Sequence, residues 1–203
     1  MKYLVLLLMT AAFSDAPKDS AINKRVSGEK LSSHFKLVSN GLENGGNIPR
    51  VNVCQWLGGE NKSPHLAWTS PPDNSESFAL IMTDRGHGGR ERETKHWTVY
   101  NIPKNISNFS LGEKLGRIEG IVEGKEGYRG PCPGEKHLYR FVLFALNKDM
   151  PLIEKGTSLS ESEFVNAYEP YILASTALEG YFEPSSLRLF INKIKRVISG
   201  ILE

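Results

Sequence analysis

Four histidines, His65, His87, His96 and His137, fall in one stretch of a 203-residue chain. The same stretch holds Asp84, Tyr128, Cys132 and the run Gly130-Pro131-Cys132-Pro133-Gly134. Imidazole is the side chain whose charge changes near pH 6.5, so a histidine can donate a hydrogen bond or carry charge toward an anion. Proline fixes φ and glycine permits tight turns, so the 130–134 run reads as a stiff loop of fixed shape. The backbone N–H groups of its non-proline positions can line an anion-binding concavity. A carboxylate, two or more imidazoles and such a loop are the parts of a small polar pocket.

The elements that must position these groups are strands. The run 78–82 is continuously apolar, as suits a strand buried on both faces, and Asp84 follows it. His96 heads the β-branched and aromatic run that Pro103 ends. His137 precedes the strongest strand candidate, 139–146. Phe35-Lys36-Leu37-Val38 and Leu66-Ala67-Trp68 add shorter strands, separated by long Gly- and Pro-rich links. Three polar residues at three strand ends can converge on one pocket. The expected fold is mainly β, an antiparallel β-sandwich with peripheral C-terminal helices. Ser160-x-x-Glu163 reads as a capping box, and the helix it opens is expected to continue through Ala174 and Leu178 to Gly180.

The ends of the chain carry separate signals. Residues 1–16 read as a signal peptide: Lys2, the apolar run 3–9, then small Ser14 and Ala16 at the cleavage positions. Residues 17–33 are polar and read as a linker, leaving a domain over 34–183. At 184–203, Leu187, Phe190, Ile191, Ile194, Val197, Ile198, Ile201 and Leu202 recur at helical spacing, with Arg188, Lys193, Lys195 and Arg196 between them. That is a basic amphipathic helix. It is expected to pack on its own domain or on a second copy, in preference to a membrane surface. The net charge of +2 lacks the basic excess of a nucleic-acid binder, so no nucleic-acid partner is expected. In an exported protein the two cysteines, Cys54 and Cys132, either form one disulfide or remain as two buried thiols. The expected location is periplasmic or secreted.

Together these segments resemble the phosphatidylethanolamine-binding protein family, in its bacterial Raf-kinase-inhibitor-like branch. The resemblance runs from Phe35 to Phe182. It is carried by Asn61-Lys62-Ser63-Pro64-His65-Leu66-Ala67-Trp68, Ala79-Leu80-Ile81-Met82-Thr83-Asp84, His96-Trp97-Thr98-Val99-Tyr100-Asn101-Ile102-Pro103, Tyr128-Arg129-Gly130-Pro131-Cys132-Pro133-Gly134 and His137-x-Tyr139-x-Phe141. It implies a sandwich of two antiparallel sheets with a small anion pocket at one end. Carried over position by position, the ligand-binding residues are Asp84, His96, Gly130, Pro131, Cys132, His137 and Tyr139. The loop cysteines of the family fall on Cys54 and Cys132. Where the family usually shows Asp-Pro-Asp-x-Pro, this chain has Asp84-Arg85-Gly86-His87-Gly88. Loss of one acid beside Arg85, Arg90 and Arg92 is expected to make the pocket mouth more positive.

The implied function is that of an exported, non-catalytic binding protein without a cofactor. Its expected ligand is phosphate or a phosphorylethanolamine-like anion, and it is expected to act on a partner protein such as a kinase or protease. One alternative is a hydrolase. It would use Cys132 with His96 or His137, or a metal held by the histidines, although no His-x-x-x-His or Cys-x-x-Cys spacing supports the metal. The other is a membrane-surface or assembly protein acting through residues 185–203.

Overall fold

The computed structural model describes residues 34–87 and 93–199, the side chains of residues 192, 193, 195, 196, 198 and 199 excepted. The expected signal peptide, the linker up to residue 33, Gly88, Arg90, Arg92, Ile201 and Leu202 lie outside the described residues.

The fold is mainly β with two helices. The centre is β4 (Ser77–Asp84), which pairs antiparallel with β5 (Thr94–Pro103) on one side and β8 (His137–Leu146) on the other. Its apolar run has no polar alternation because both of its faces are covered. Phe78, Leu80 and Met82 enter one apolar cluster, while Ala79 and Ile81 enter another. The six-stranded sheet is completed by β9 (Ile172–Phe182) and the two-residue strands β2 (Gly46–Asn47) and β7 (Val122–Glu123), in the order β2-β9-β8-β4-β5-β7. A second sheet holds β1 (Lys36–Val38), β3 (Leu66–Thr69) and β6 (Asn108–Phe109), in the order β1-β3-β6. Neither sheet closes on itself. Leu37, Leu66, Trp68 and Phe109 of the small sheet share a cluster with Phe78, Met82, Trp97 and Phe141 of the large one.

The second cluster lies under α1 (Glu161–Tyr168). Phe164 meets Tyr100 and Phe144 there, with ring centroids 5.9 Å and 4.8 Å apart. Burying one such ring stabilises the fold by roughly 1.5–3 kcal/mol. The expected capping box opens this helix. Glu163 N donates to Ser160 Oγ at 3.3 Å, and Ser160 N donates to Glu163 Oε2 at 2.7 Å.

Three expectations change. The helix stops at Tyr168, and Ala174 to Leu178 lie in β9. Alanine and leucine favour a helix, but β9 pairs with β8 from His137↔Phe182 to Leu146↔Ile172, and that long ladder outweighs local propensity. The strand pairing is not wholly antiparallel, since β2 runs parallel to β9. Gly45 N donates to Glu179 O at 2.9 Å, and Asn44 Oδ1 accepts from Glu179 N at 2.9 Å, which fixes that pairing. Lastly, of the two places expected for the apolar stripe of α2 (Ser186–Ser199), its own domain does not take Leu187, Phe190, Ile194 or Val197. Leu189 packs on the core, whereas Leu187, Phe190, Ile194 and Val197 face outward.

Candidate functional site

The end of the large sheet brings together Asp84, His96, His137 and Tyr139. Asp84 closes β4 and sits opposite Tyr139 in the β4–β8 ladder, so neighbouring strands place the carboxylate beside the phenol. His137 opens β8, and His96 is the third residue of β5. The Tyr139 ring touches both imidazoles, 5.2 Å from His96 and 6.5 Å from His137 between centroids. Asp84, His96 and Tyr139 are buried, and His137 is partly open.

Hydrogen bonds fix the polarity of each group. Asp84 Oδ1 accepts from Gly86 N at 2.8 Å. Its Oδ2 accepts from His137 Nδ1 at 2.9 Å, so that nitrogen carries the proton. The Gly86 bond closes a local Asx turn, and Gly86 itself takes a left-handed φ of 72°. His96 Nδ1 lies 2.7 Å from Arg129 O, and a carbonyl only accepts, so His96 donates there. Arg129 N returns a bond to His96 O at 2.9 Å. The other nitrogen of His96, Nε2, stands 3.9 Å from Asp84 Oδ2. Burial lowers the His96 pKa. The carbonyl of Arg129 and the charge of Asp84 pull it back upward without cancelling that effect. In the neutral ring, Nε2 presents a lone pair.

Tyr139 is the unusual member. Its hydroxyl is buried beside the Asp84 carboxylate and the Cys132 backbone, both close enough to act on it but neither in full hydrogen-bonding geometry. Burial, then the nearby Asp84 charge, push its pKa far above the ordinary phenol value, so it stays a donor. A buried hydroxyl without a partner carries a desolvation cost of about 1–3 kcal/mol, which a ligand oxygen can offset.

The 130–134 loop is held to the rest of the fold at three points. Gly130 N is already used, donating to Asn61 Oδ1 at 2.8 Å. A Cβ at Gly130 would fall 2.2 Å from Asn52 O, so glycine is required by close backbone approach. Pro131 is buried, and its carbonyl accepts from Cys54 N at 3.0 Å. Cys132 is exposed and bridged to Cys54, with the Cα atoms 5.5 Å apart. Gly130, Pro131 and Cys132 thus build the wall, and Gly130 offers no N–H to a ligand. Asn61 was not singled out from the sequence. It takes a positive φ of 54°, in a residue type that tolerates it.

His65 and His87 stay apart from the cluster. His65 Nδ1 accepts from Asn40 N at 3.2 Å, and exposed His87 lies 3.3 Å from Lys136 O. Arg85 does not leave a bare positive charge at the mouth. Its guanidinium pairs with Glu93 at 2.7 Å and Glu161 at 3.5 Å. No three His, Cys, Asp or Glu among the described residues are grouped to hold a metal ion. A cavity of about 480 Å³ runs beside the cluster and shares His96 with it, lined also by Lys95, Thr98, Lys125 and Arg129.

Residues 38–183 match the phosphatidylethanolamine-binding protein family. A UPF0098 protein of Chlamydia muridarum is 34% identical over 154 residues, which span 73% of this chain and 99% of that one. The UPF0098 protein YbhB of Escherichia coli is 33% identical over 140 residues, spanning 61% of this chain and 85% of its own. The crystal structure of a phosphatidylethanolamine-binding protein homologue from Chlamydia trachomatis superposes with a TM-score of 0.62 at 29% identity, covering 76% of this chain and 100% of the homologue. Escherichia coli YbcL shares the fold, with a TM-score of 0.64 at 24% identity over 75% of this chain and 99% of its own. The chain belongs to the phosphatidylethanolamine-binding protein family.

Proposed function

We propose that the protein is a non-catalytic binding protein whose cluster of Asp84, His96, His137 and Tyr139 holds a phosphate-bearing head group of the phosphorylethanolamine kind. The observation that carries this reading is the Tyr139 hydroxyl, a buried donor without a well-formed hydrogen bond, beside two imidazoles. A phosphate oxygen accepts from that hydroxyl and from a protonated His96 Nε2. Asp84 repels a bare anion but suits a zwitterion, whose ammonium group offsets the carboxylate. His137 stays on Asp84 through its Nδ1 proton and keeps the carboxylate in place.

The two sheets act as the faces of a β-sandwich, supported by the cluster they share. Residues 1–16 direct export, and residues 17–33 link to the domain. The Cys54–Cys132 bridge supports an oxidising, periplasmic or secreted setting. A bridged Cys132 has no thiolate, which supports binding over Cys/His hydrolysis. Occupancy of the pocket regulates a partner protein outside the cytoplasm.

The test is an NMR titration of the imidazole resonances with phosphorylethanolamine at pH 6. The expected result is saturable movement of the His96 and His137 signals while those of His65 and His87 stay still. Four unmoved histidines would sink the reading.

A further inference from the structure

The apolar stripe of α2 has no protein partner among the described residues. Leu187, Phe190, Ile194 and Val197 follow one another at helical spacing, and they are 68%, 61%, 42% and 56% exposed. Single exposed apolar residues are ordinary, but four aligned on one helix are not. The helix is well seated from the other side. Ser185 accepts from Arg188 N through its side chain at 3.3 Å and from Leu189 N through its carbonyl at 3.1 Å, capping the first turn. Leu189 packs on the core, and the Arg188 guanidinium lies over Gly58. The stripe therefore points outward because the opposite face is docked.

Charge decides what can cover it. The helix carries Arg188, Lys193, Lys195 and Arg196 and no acid from Ser186 to Ser199. Arg188 is taken up on the docked side, and a second copy would add the same unbalanced charge of Lys193, Lys195 and Arg196. The stripe is also small. Fourteen residues span about 21 Å, so a strip some 10 Å wide offers on the order of 200 Å². A stable protein interface needs about 800 Å² per partner. An anionic bilayer fits both features, since its acyl boundary takes the apolar side chains and its head groups balance the cations.

We infer that α2 is a membrane-surface helix, which lies in the interface of an anionic lipid bilayer with Leu187, Phe190, Ile194 and Val197 inserted. This inference is independent of the phosphate pocket, because α2 begins after the family match ends at residue 183. The geometry nevertheless couples the two. His137 pairs with Phe182 at the end of β9, and α2 starts four residues later. Docking would hold the pocket end of the sheet at the lipid surface. Trp56 belongs to the short turn that α2 packs on and is 55% exposed, whereas Trp68 and Trp97 are buried.

Co-sedimentation of the full-length protein with vesicles tests this. One set is phosphatidylcholine alone, and the other is phosphatidylcholine mixed with phosphatidylglycerol. The expected result is partition into the anionic vesicles at least about 10-fold above the neutral ones, weakening as salt rises. Phe190→Asp with Ile194→Asp should abolish it without moving the unfolding midpoint, because both side chains face solvent. Three results would overturn the inference. They are no partition at low salt, equal partition of the double variant, or a lipid-free dimer that the double variant converts to monomer. The second would assign binding to another segment, and the third would assign the stripe to a second copy.

Discussion

His137 Nδ1 donates to Asp84 Oδ2 at 2.9 Å while Gly86 N donates to the other oxygen at 2.8 Å, so both oxygens of one buried carboxylate are held. That pairing spans the ends of two adjacent strands. Replacing His137 by Ala leaves Oδ2 without its donor. Chemical denaturation should show a loss of about 1–3 kcal/mol. Asp84→Asn with His137 intact should cost less, because an amide oxygen still accepts from Gly86 N. Equal stability of His137→Ala and the unaltered protein would contradict the assigned bond.

Tyr139→Phe should act in opposite directions on stability and on binding. Removing a buried, unpaired hydroxyl should stabilise the free protein by about 1 kcal/mol, or about 2–4 °C in Tm for a domain of this size. Affinity for phosphorylethanolamine should fall about 10-fold, because the ligand loses its buried donor. A variant that loses stability would show that the hydroxyl has a partner in the free protein.

The lowered pKa of His96 predicts a pH dependence of stability. The unfolded ring has its ordinary pKa near 6.5 and the folded ring a lower one. Between the two values the unfolded state binds more protons, so stability rises with pH across that window. The contribution of His96 is complete above about pH 6.5 and is lost as pH falls toward the folded value. Denaturation midpoints of the protein and of His96→Gln, taken through this range, should converge as the pH drops.

Much of this site is legible in the sequence, and the reason is local. Asp84, His96 and His137 each end or open a run of β-branched, aromatic or aliphatic residues, and strand ends are where a sheet gathers its polar groups. The wall of the site is less legible. Asn61 and Gly130 lie 69 positions apart and meet only through the fold, so no periodicity relates them. Gly130 reads as a turn residue, but its real constraint is the approach of Asn52 O. Residues 174–178 mislead for a related reason. Their helix preference is a property of the segment, whereas their strand is imposed by β8. The outward face of α2 was equally hidden, since an amphipathic pattern tells which residues share a face and not what that face meets.

The disulfide and the glycine can be tested together as parts of one wall. Cys54→Ser with Cys132→Ser opens a loop of 78 residues. The chain-entropy argument gives about 4 kcal/mol for a loop of that length. Gly130→Ala should cost roughly 1–3 kcal/mol by forcing the loop away from Asn52. Each should weaken phosphorylethanolamine binding, because each displaces the loop that abuts His96 through Arg129. Unchanged binding in both variants would detach this wall from the site.

The most direct test of the account is calorimetric titration of the metal-free protein with phosphorylethanolamine, at pH 6 and at pH 8. Each titration is run in two buffers of different ionisation enthalpy, so that the protons exchanged on binding are counted. His96 Nε2 must gain a proton to face a phosphate oxygen. The account therefore predicts saturable binding that is tighter at pH 6 than at pH 8, with net proton uptake after allowing for the ligand's own second pKa near 6. Both features should vanish in the His96→Ala, His137→Ala double variant. Absence of saturable binding at pH 6, or binding that the double variant retains, would contradict the assignment of the pocket.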